Sequence, residues 1–130
     1  MNINTSLRIL KDYKEAKPSA ITVIGGPHVT FDAENILLQN NHVDYIVRGE
    51  GEITFLEFLE TLSMKKSANH IPGISCRAGE IIMHNPDRPF IEDINILPFP
   101  SRYLVQLSKY KAMNYPLNMV TSRGCPHECI

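Results

Sequence analysis

What this sequence has little of narrows its reading first. Cysteine is scarce and odd in number: 130 residues hold 3, namely Cys76, Cys125 and Cys129. An even disulfide framework is therefore excluded, and a reducing cytoplasm is the expected compartment. Neither sign of charge dominates. Lys and Arg number 13 against 14 Asp and Glu, a net charge of −1. That balance predicts no basic nucleic-acid face and no acidic tail. No apolar run approaches the roughly 20 residues a membrane span requires. The opening residues lack a charged n-region followed by an apolar h-region, so no secretory signal is visible. The dinucleotide fingerprint Gly-x-Gly-x-x-Gly is missing as well.

What is present suits a globular domain: 43% hydrophobic and 21% charged residues are ordinary for a soluble protein. The length allows one domain and is short for two. Ser6 to Ala16 reads as an amphipathic helix with Leu7, Ile9, Leu10 and Tyr13 on its apolar face, ended by Pro18. Ala20 to Ile24 is a compact β-branched run, the pattern of a strand buried on both faces. Gly25-Gly26-Pro27 breaks it. A helix from Asp32 to Gln39, a strand from Val43 to Val47, a turn at residues 48–52 and a helix from Thr54 to Ser63 follow. Helices alternating with strands over short connections predict an α/β fold with a parallel sheet. Gly73 to Arg77 and Glu80 to His84 flank Ala78-Gly79 as a β-hairpin. Residues 85–100 read as an extended linker. Ser101 is placed to cap a short helix through Leu107, residues 110–116 read as irregular, and Leu117 to Thr121 as a new strand. No repeat and no low-complexity tract is found. Two parallel strands make a thin sheet and the chain opens on a helix, so the natural domain is expected to begin upstream of Met1.

Four groups of residues carry candidate chemistry. Gly25-Gly26-Pro27-His28 follows a buried strand. Glycine there permits φ > 0 and close approach of a ligand to the backbone, at the strand end where open α/β sheets bind ligands. The plainer reading is a strand-to-helix turn, with His28 hydrogen-bonded to its surroundings. Arg48-Gly49-Glu50-Gly51-Glu52 lies on the same edge of the sheet. Glu50 or Glu52 suits the N-terminus of the following helix, and Gly49 and Glu50 suit polar contact with a cofactor. Cys76 reads as an inert strand cysteine. Cys125-Pro126-His127-Glu128-Cys129 is the sharpest signal, because thiolates bind iron–sulfur clusters and zinc alike, although two ligands alone rarely hold a cluster. A zinc set would add His127, an unusual arrangement; two unligated thiols are the bland alternative. A small-molecule-binding regulatory α/β module with a redox-sensitive or zinc-binding cysteine pair also accounts for these residues.

Five motifs occur in one order: Gly-Gly-Pro-His-Val-Thr, Val-Asp-Tyr-Ile-Val-Arg-Gly-Glu-Gly-Glu, Ile-Pro-Gly-Ile, Leu-Pro-Phe-Pro and Thr-Ser-Arg-Gly-Cys-Pro-x-x-Cys. In this the chain resembles the cobalamin-binding radical S-adenosylmethionine enzymes. It is most similar to the group that includes the anaerobic magnesium-protoporphyrin monomethyl ester (oxidative) cyclase. The resemblance implies that residues 1–65 are the C-terminal half of a Rossmann-like cobalamin-binding sheet. Residues 66–116 would be a hairpin and connector, and 117–130 the start of a radical S-adenosylmethionine barrel. Gly25 and Gly26 match the glycine pair that lets the cobalamin nucleotide tail lie on the backbone. Cys125 and Cys129 match the first two cysteines of a Cys-x3-Cys-x2-Cys loop. That loop holds a [4Fe–4S] cluster whose open iron binds S-adenosylmethionine, and electron transfer then yields an adenosyl radical. The third cysteine would fall two positions beyond Ile130, and the upstream histidine loop that supports cobalt in many such domains is absent. The expectation is an inactive piece of a larger oxidoreductase, cyclase or methyltransferase that binds cobalamin weakly or not at all. Its parent would use a reductant protein and a small-molecule substrate, a tetrapyrrole being one candidate.

Overall fold

The computed structural model describes residues 2–116 and Arg123. Local chemistry sets its first element. Helix α1 covers Ile3–Ala16. It starts ahead of the expected Ser6 because the Asn2 side chain accepts the Asn4 N–H at 3.0 Å, a cap of about 1 kcal/mol. Its packed stripe is Ile3, Leu7 and Leu10. Ile9 and Tyr13, expected on that face, are exposed, because the i, i+4, i+7 row excludes them.

Strand β1 is Val23–Gly25. Gly26-Pro27 then turns the chain into α2, Pro27–Phe31, which the sequence reading did not foresee. Proline at the first helical position is the signal it passed over. Helix α3 is Ala33–Gln39, strand β2 Tyr45–Val47 and helix α4 Gly51–Ser63. Strands β3 (Ile74–Ala78) and β4 (Ile81–His84) form the expected hairpin.

The four described strands form one sheet in the order β1-β2-β3-β4. β1 and β2 run parallel, with Ile24 opposite Ile46. β3 joins β2 antiparallel, with Ile46 opposite Ser75, and β4 completes the hairpin. The hairpin therefore widens the sheet and makes it mixed. Among the described residues β1 stands at one end of that order, with β2 as its strand neighbour. Ile21, expected inside a strand buried on both faces, lies ahead of β1 and is 53% exposed.

Strand alternation sends side chains to two cores. On one face Ile24, Ile46 and Ile82 meet Val29, Ala33, Ile36 and Leu37 of α2 and α3, with α1 packed beside them. On the other, Val23, Tyr45, Val47, Ile74 and Cys76 meet Phe58 and Leu62 of α4. Phe58 is fully buried and packs its ring 4.7 Å from that of Tyr45 at 59°. Burying such a side chain contributes about 1.5–3 kcal/mol. Arg77 of β3 donates to the Leu37 carbonyl in the last turn of α3.

A polar knot closes the N-terminal end of the sheet. Lys14 pairs with Asp44 at 2.6 Å and donates to the Ala20 carbonyl. Asp44 also accepts the Thr22 N–H at 2.7 Å and the Thr22 hydroxyl at 2.9 Å. Burial alone would raise the Asp44 carboxyl. Hydrogen bonds from Lys14 and Thr22, with the Lys14 charge, outweigh it and hold the group below its ordinary range.

The chain divides into two compact units, Met1–Ile94 and Asn95–Ile130. The described part of the second holds a 3-10 turn at Arg102–Leu104 and helix α5, Leu107–Ala112. The helix expected after Ser101 is thus only a single turn that the Ser101 side chain does not cap. Helical structure resumes at α5, where residues 110–116 had read as irregular. The strand expected at Leu117 to Thr121 lies outside the described residues. No described helix is long and apolar enough to cross a membrane.

Candidate functional site

The carboxyl ends of β1 and β2 lie side by side because the strands are parallel and in register from Val23 opposite Tyr45 to Gly25 opposite Val47. An open groove of about 470 Å³ runs here, lined by Val23, Ile24, Gly25, Val47, Gly51, Glu52 and Phe55. Its floor depends on missing side chains. A Cβ on Gly25 would sit 3.3 Å from the Val47 carbonyl oxygen, and one on Gly51 would sit 3.2 Å from Val47 Cγ1. Two glycines flanking one valine thus leave an apolar, backbone-lined trough.

Beyond the strands the chain turns twice. Gly26 has φ 113° and ψ 171°, a region open essentially to glycine alone. Gly49 has φ 68°. Thr30 of α2 joins the two turns: its hydroxyl donates to the Gly26 carbonyl at 2.9 Å and accepts the Gly49 N–H at 3.0 Å. The sequence reading missed Thr30. Its position four residues after Gly26 on a helix was the available signal.

The expected site residues divide accordingly. Gly25 lines the groove. Gly26 and Pro27 form the turn and the start of α2, and His28 is exposed on that helix. Gly49 sits on the second turn, stitched to the first. Glu50 stands at the N-cap position of α4 but makes no side-chain cap. Its carboxylate instead accepts the Ile91 N–H at 2.7 Å. The capping expected of Glu50 is thus replaced by a longer-range bond, while Glu52 occupies the first turn of α4 and borders the groove. Arg48, which the sequence placed in the same candidate turn without a role, has a side chain only 14% exposed, ion-paired to Asp87.

Cys76 lies in β3 and is buried, and burial pushes its thiol up. This is the inert cysteine the strand pattern predicts. Cys125 and Cys129 lie outside the described residues. Among the described residues no cluster of three or more His, Cys, Asp or Glu is placed to hold a metal ion. The described residues offer an open, largely apolar recess bordered by main chain at the paired strand ends.

Comparison with known proteins agrees with that chemistry. Residues 1–59 match the B12 binding domain family. An uncharacterized methyltransferase of Pyrococcus horikoshii is 38% identical over 123 residues, covering 94% of this chain and 27% of that protein. The anaerobic magnesium-protoporphyrin IX monomethyl ester cyclase of Synechocystis sp. is 35% identical over 118 residues, 89% of this chain and 23% of the cyclase. A cobalamin-dependent radical SAM methyltransferase of Streptomyces tokunonensis is 30% identical over 136 residues, 98% of this chain and 20% of the enzyme. The chain spans about a quarter of the length of the curated relatives it matches. Residues 1–59 thus carry the B12 binding domain match, and over most of its length the chain is similar to one part of cobalamin-dependent radical SAM methyltransferases and anaerobic magnesium-protoporphyrin IX monomethyl ester cyclases.

Proposed function

We propose that this chain is the cobalamin-side segment of a radical S-adenosylmethionine enzyme, either a methyltransferase or an oxidative cyclase. The single observation that carries the reading is the trough floored by Gly25, Val47 and Gly51, within a segment matching the B12 binding domain family. Its fit to cobalamin is steric and chemical. The lining is largely apolar and main chain, and an added Cβ on either glycine would crowd Val47. Gly25, Gly26, Pro27, His28, Gly49 and Glu50 would belong to the cobalamin-binding end of the sheet, Gly25 by direct contact and Gly26 and Gly49 by turn geometry. Residues 1–65 would form the platform, 66–116 the hairpin and connector, and 117–130 the opening of the barrel. Cys125 and Cys129 would give two thiolates to a [4Fe–4S] cluster. Cobalamin supplies a methyl-carrying or redox centre, and the cluster with S-adenosylmethionine supplies one-electron chemistry.

The work left to this chain is to bind, orient and keep water from the apolar side of the cofactor. Alone it would catalyse nothing and hold cobalamin weakly. The names of the relatives favour methyl transfer or ring closure. A tetrapyrrole substrate is the choice the cyclase relatives favour, and the cluster would draw electrons from a reductant protein in the cytoplasm. The test is anaerobic iron–sulfur reconstitution of the longer native polypeptide with hydroxocobalamin, followed by absorption and electron paramagnetic resonance before and after adding S-adenosylmethionine. A cluster signal that shifts on addition, together with bound corrinoid, is expected. A colourless, iron-free and corrinoid-free protein would overturn the proposal.

A further inference from the structure

Residues 85–91, expected to begin an extended linker, are tied down along their length. The Asn85 side-chain amide donates to the Ala68 and Ile71 carbonyls at 3.0 and 2.7 Å. The Gly73 N–H donates to the Pro86 carbonyl at 2.8 Å. Asp87 pairs with Arg48. Arg88 donates to the Thr54 hydroxyl at 2.7 Å and pairs with Glu57. The Ile91 N–H donates to Glu50. The segment is a strap across the end of the sheet and along α4.

Two of its anchors, Arg48 and Glu50, are the immediate neighbours of Gly49. Neither lines the groove. Arg48 is the physically decisive one. Its side chain is only 14% exposed, its Nε is buried without a hydrogen-bond partner, and its guanidinium donates to the Asn85 carbonyl and to Asp87. Both acceptors belong to the strap. Lifting the strap would strip a mostly buried cation of these acceptors, a costly state. The turn at residues 48–50 would have to move to hydrate it, and Gly49 would leave Thr30.

We propose that Arg48 and Glu50 are positioning residues: gripping the strap on both sides of Gly49, they fix the glycine turn that borders the groove. Ligand occupancy of the groove and docking of the strap are then coupled, and each strengthens the other by the same factor. The mechanical part stands on the geometry alone. Its meaning for cobalamin rests on the function proposed above.

The experiment, in the full chain, loosens the strap from its far side with a double variant that leaves the groove and the turn untouched, and from the turn itself with one conservative variant. Amide exchange is followed residue by residue in the parent, in the Asp87→Ala/Arg88→Ala double variant, and in Glu50→Gln, which keeps the side chain's size. Exchange at both Ile91 and Gly49 should accelerate at least about tenfold in the double variant, as expected when charge-assisted hydrogen bonds are lost. The β3–β4 ladder at Cys76 and Met83 should stay as in the parent, which separates loosening of the turn from general unfolding. Glu50→Gln should accelerate both amides to a smaller degree. A double variant in which Ile91 is released while Gly49 keeps its parent rate would overturn the proposal. So would one in which Ile91 is not released at all. Adding hydroxocobalamin at millimolar concentration should slow Ile91 exchange in the parent and less so in the variants. If it perturbs no amide, the cobalamin reading fails while the ligand-free comparison still decides the clamp.

Discussion

A methyl group added at one or the other of two adjacent glycines separates backbone strain from filling of the groove. Gly26 adopts φ 113° and ψ 171°, and a Cβ built there meets nothing within 4 Å. Gly26→Ala therefore carries no steric clash, and its whole cost is backbone strain, about 1–3 kcal/mol. For a unit of this size each kcal/mol lowers the melting temperature by about 4–8 °C. Gly25 has no positive φ, and its added Cβ would lie 3.3 Å from the Val47 carbonyl oxygen and 3.6 Å from Val47 Cβ. Gly25→Ala should change stability little, because Val47 needs to give by only a few tenths of an ångström, yet it puts a methyl into the groove floor. Thermal melts of both variants, with hydroxocobalamin titrations, make the comparison. Gly26→Ala should lose stability. Gly25→Ala should keep it and lose affinity. Equal melting temperatures for Gly26→Ala and the parent would refute the backbone argument, and unchanged cobalamin affinity in Gly25→Ala would refute the groove.

Other outcomes follow from the same structure. Asp44 is depressed in the folded state, so its stabilisation is complete above the unfolded value of about 3.9 and is lost as pH falls through the lower folded one. Asp44→Asn should thus be less stable than the parent at pH 7, with the gap closing below about pH 4 in urea titrations. Cys76, 4% exposed with its thiol pushed up by burial, should resist alkylation at pH 8 until the chain is denatured, as peptide-resolved mass spectrometry would read. Phe58→Ala empties a fully buried site and should cost about 3–5 kcal/mol in chemical denaturation.

Much of this arrangement was legible from local pattern. The alternation of helix and strand, the hairpin around Gly79 and the placement of Gly25-Gly26 and Gly49 at strand ends all follow from periodicity and turn chemistry, which act over a few residues. The misses share a different cause. Ile9 and Tyr13 are apolar and lie in an apolar helix, but only the tertiary position of α1 decides that Ile3, Leu7 and Leu10 face inward. Helix α2 is short, and Pro27 looked like a breaker until Gly26 supplied the turn before it. Arg48, Thr54, Asn85, Arg88 and Glu57 are separated along the chain by up to 40 residues and meet only in space. No period marks such a set. Glu50 shows the same limit: its place before a helix predicts a cap, while the strap offers its carboxylate a distant N–H instead.

The central claim is that the paired ends of β1 and β2 receive cobalamin, and a residue-resolved nuclear magnetic resonance titration of this chain with hydroxocobalamin tests it most directly. The account predicts weak, saturable shifts confined to Gly25, Gly26, Gly49, Gly51 and Phe55, spreading to Ile91 through Glu50. Shifts centred elsewhere on the sheet, or none up to millimolar ligand, would contradict it.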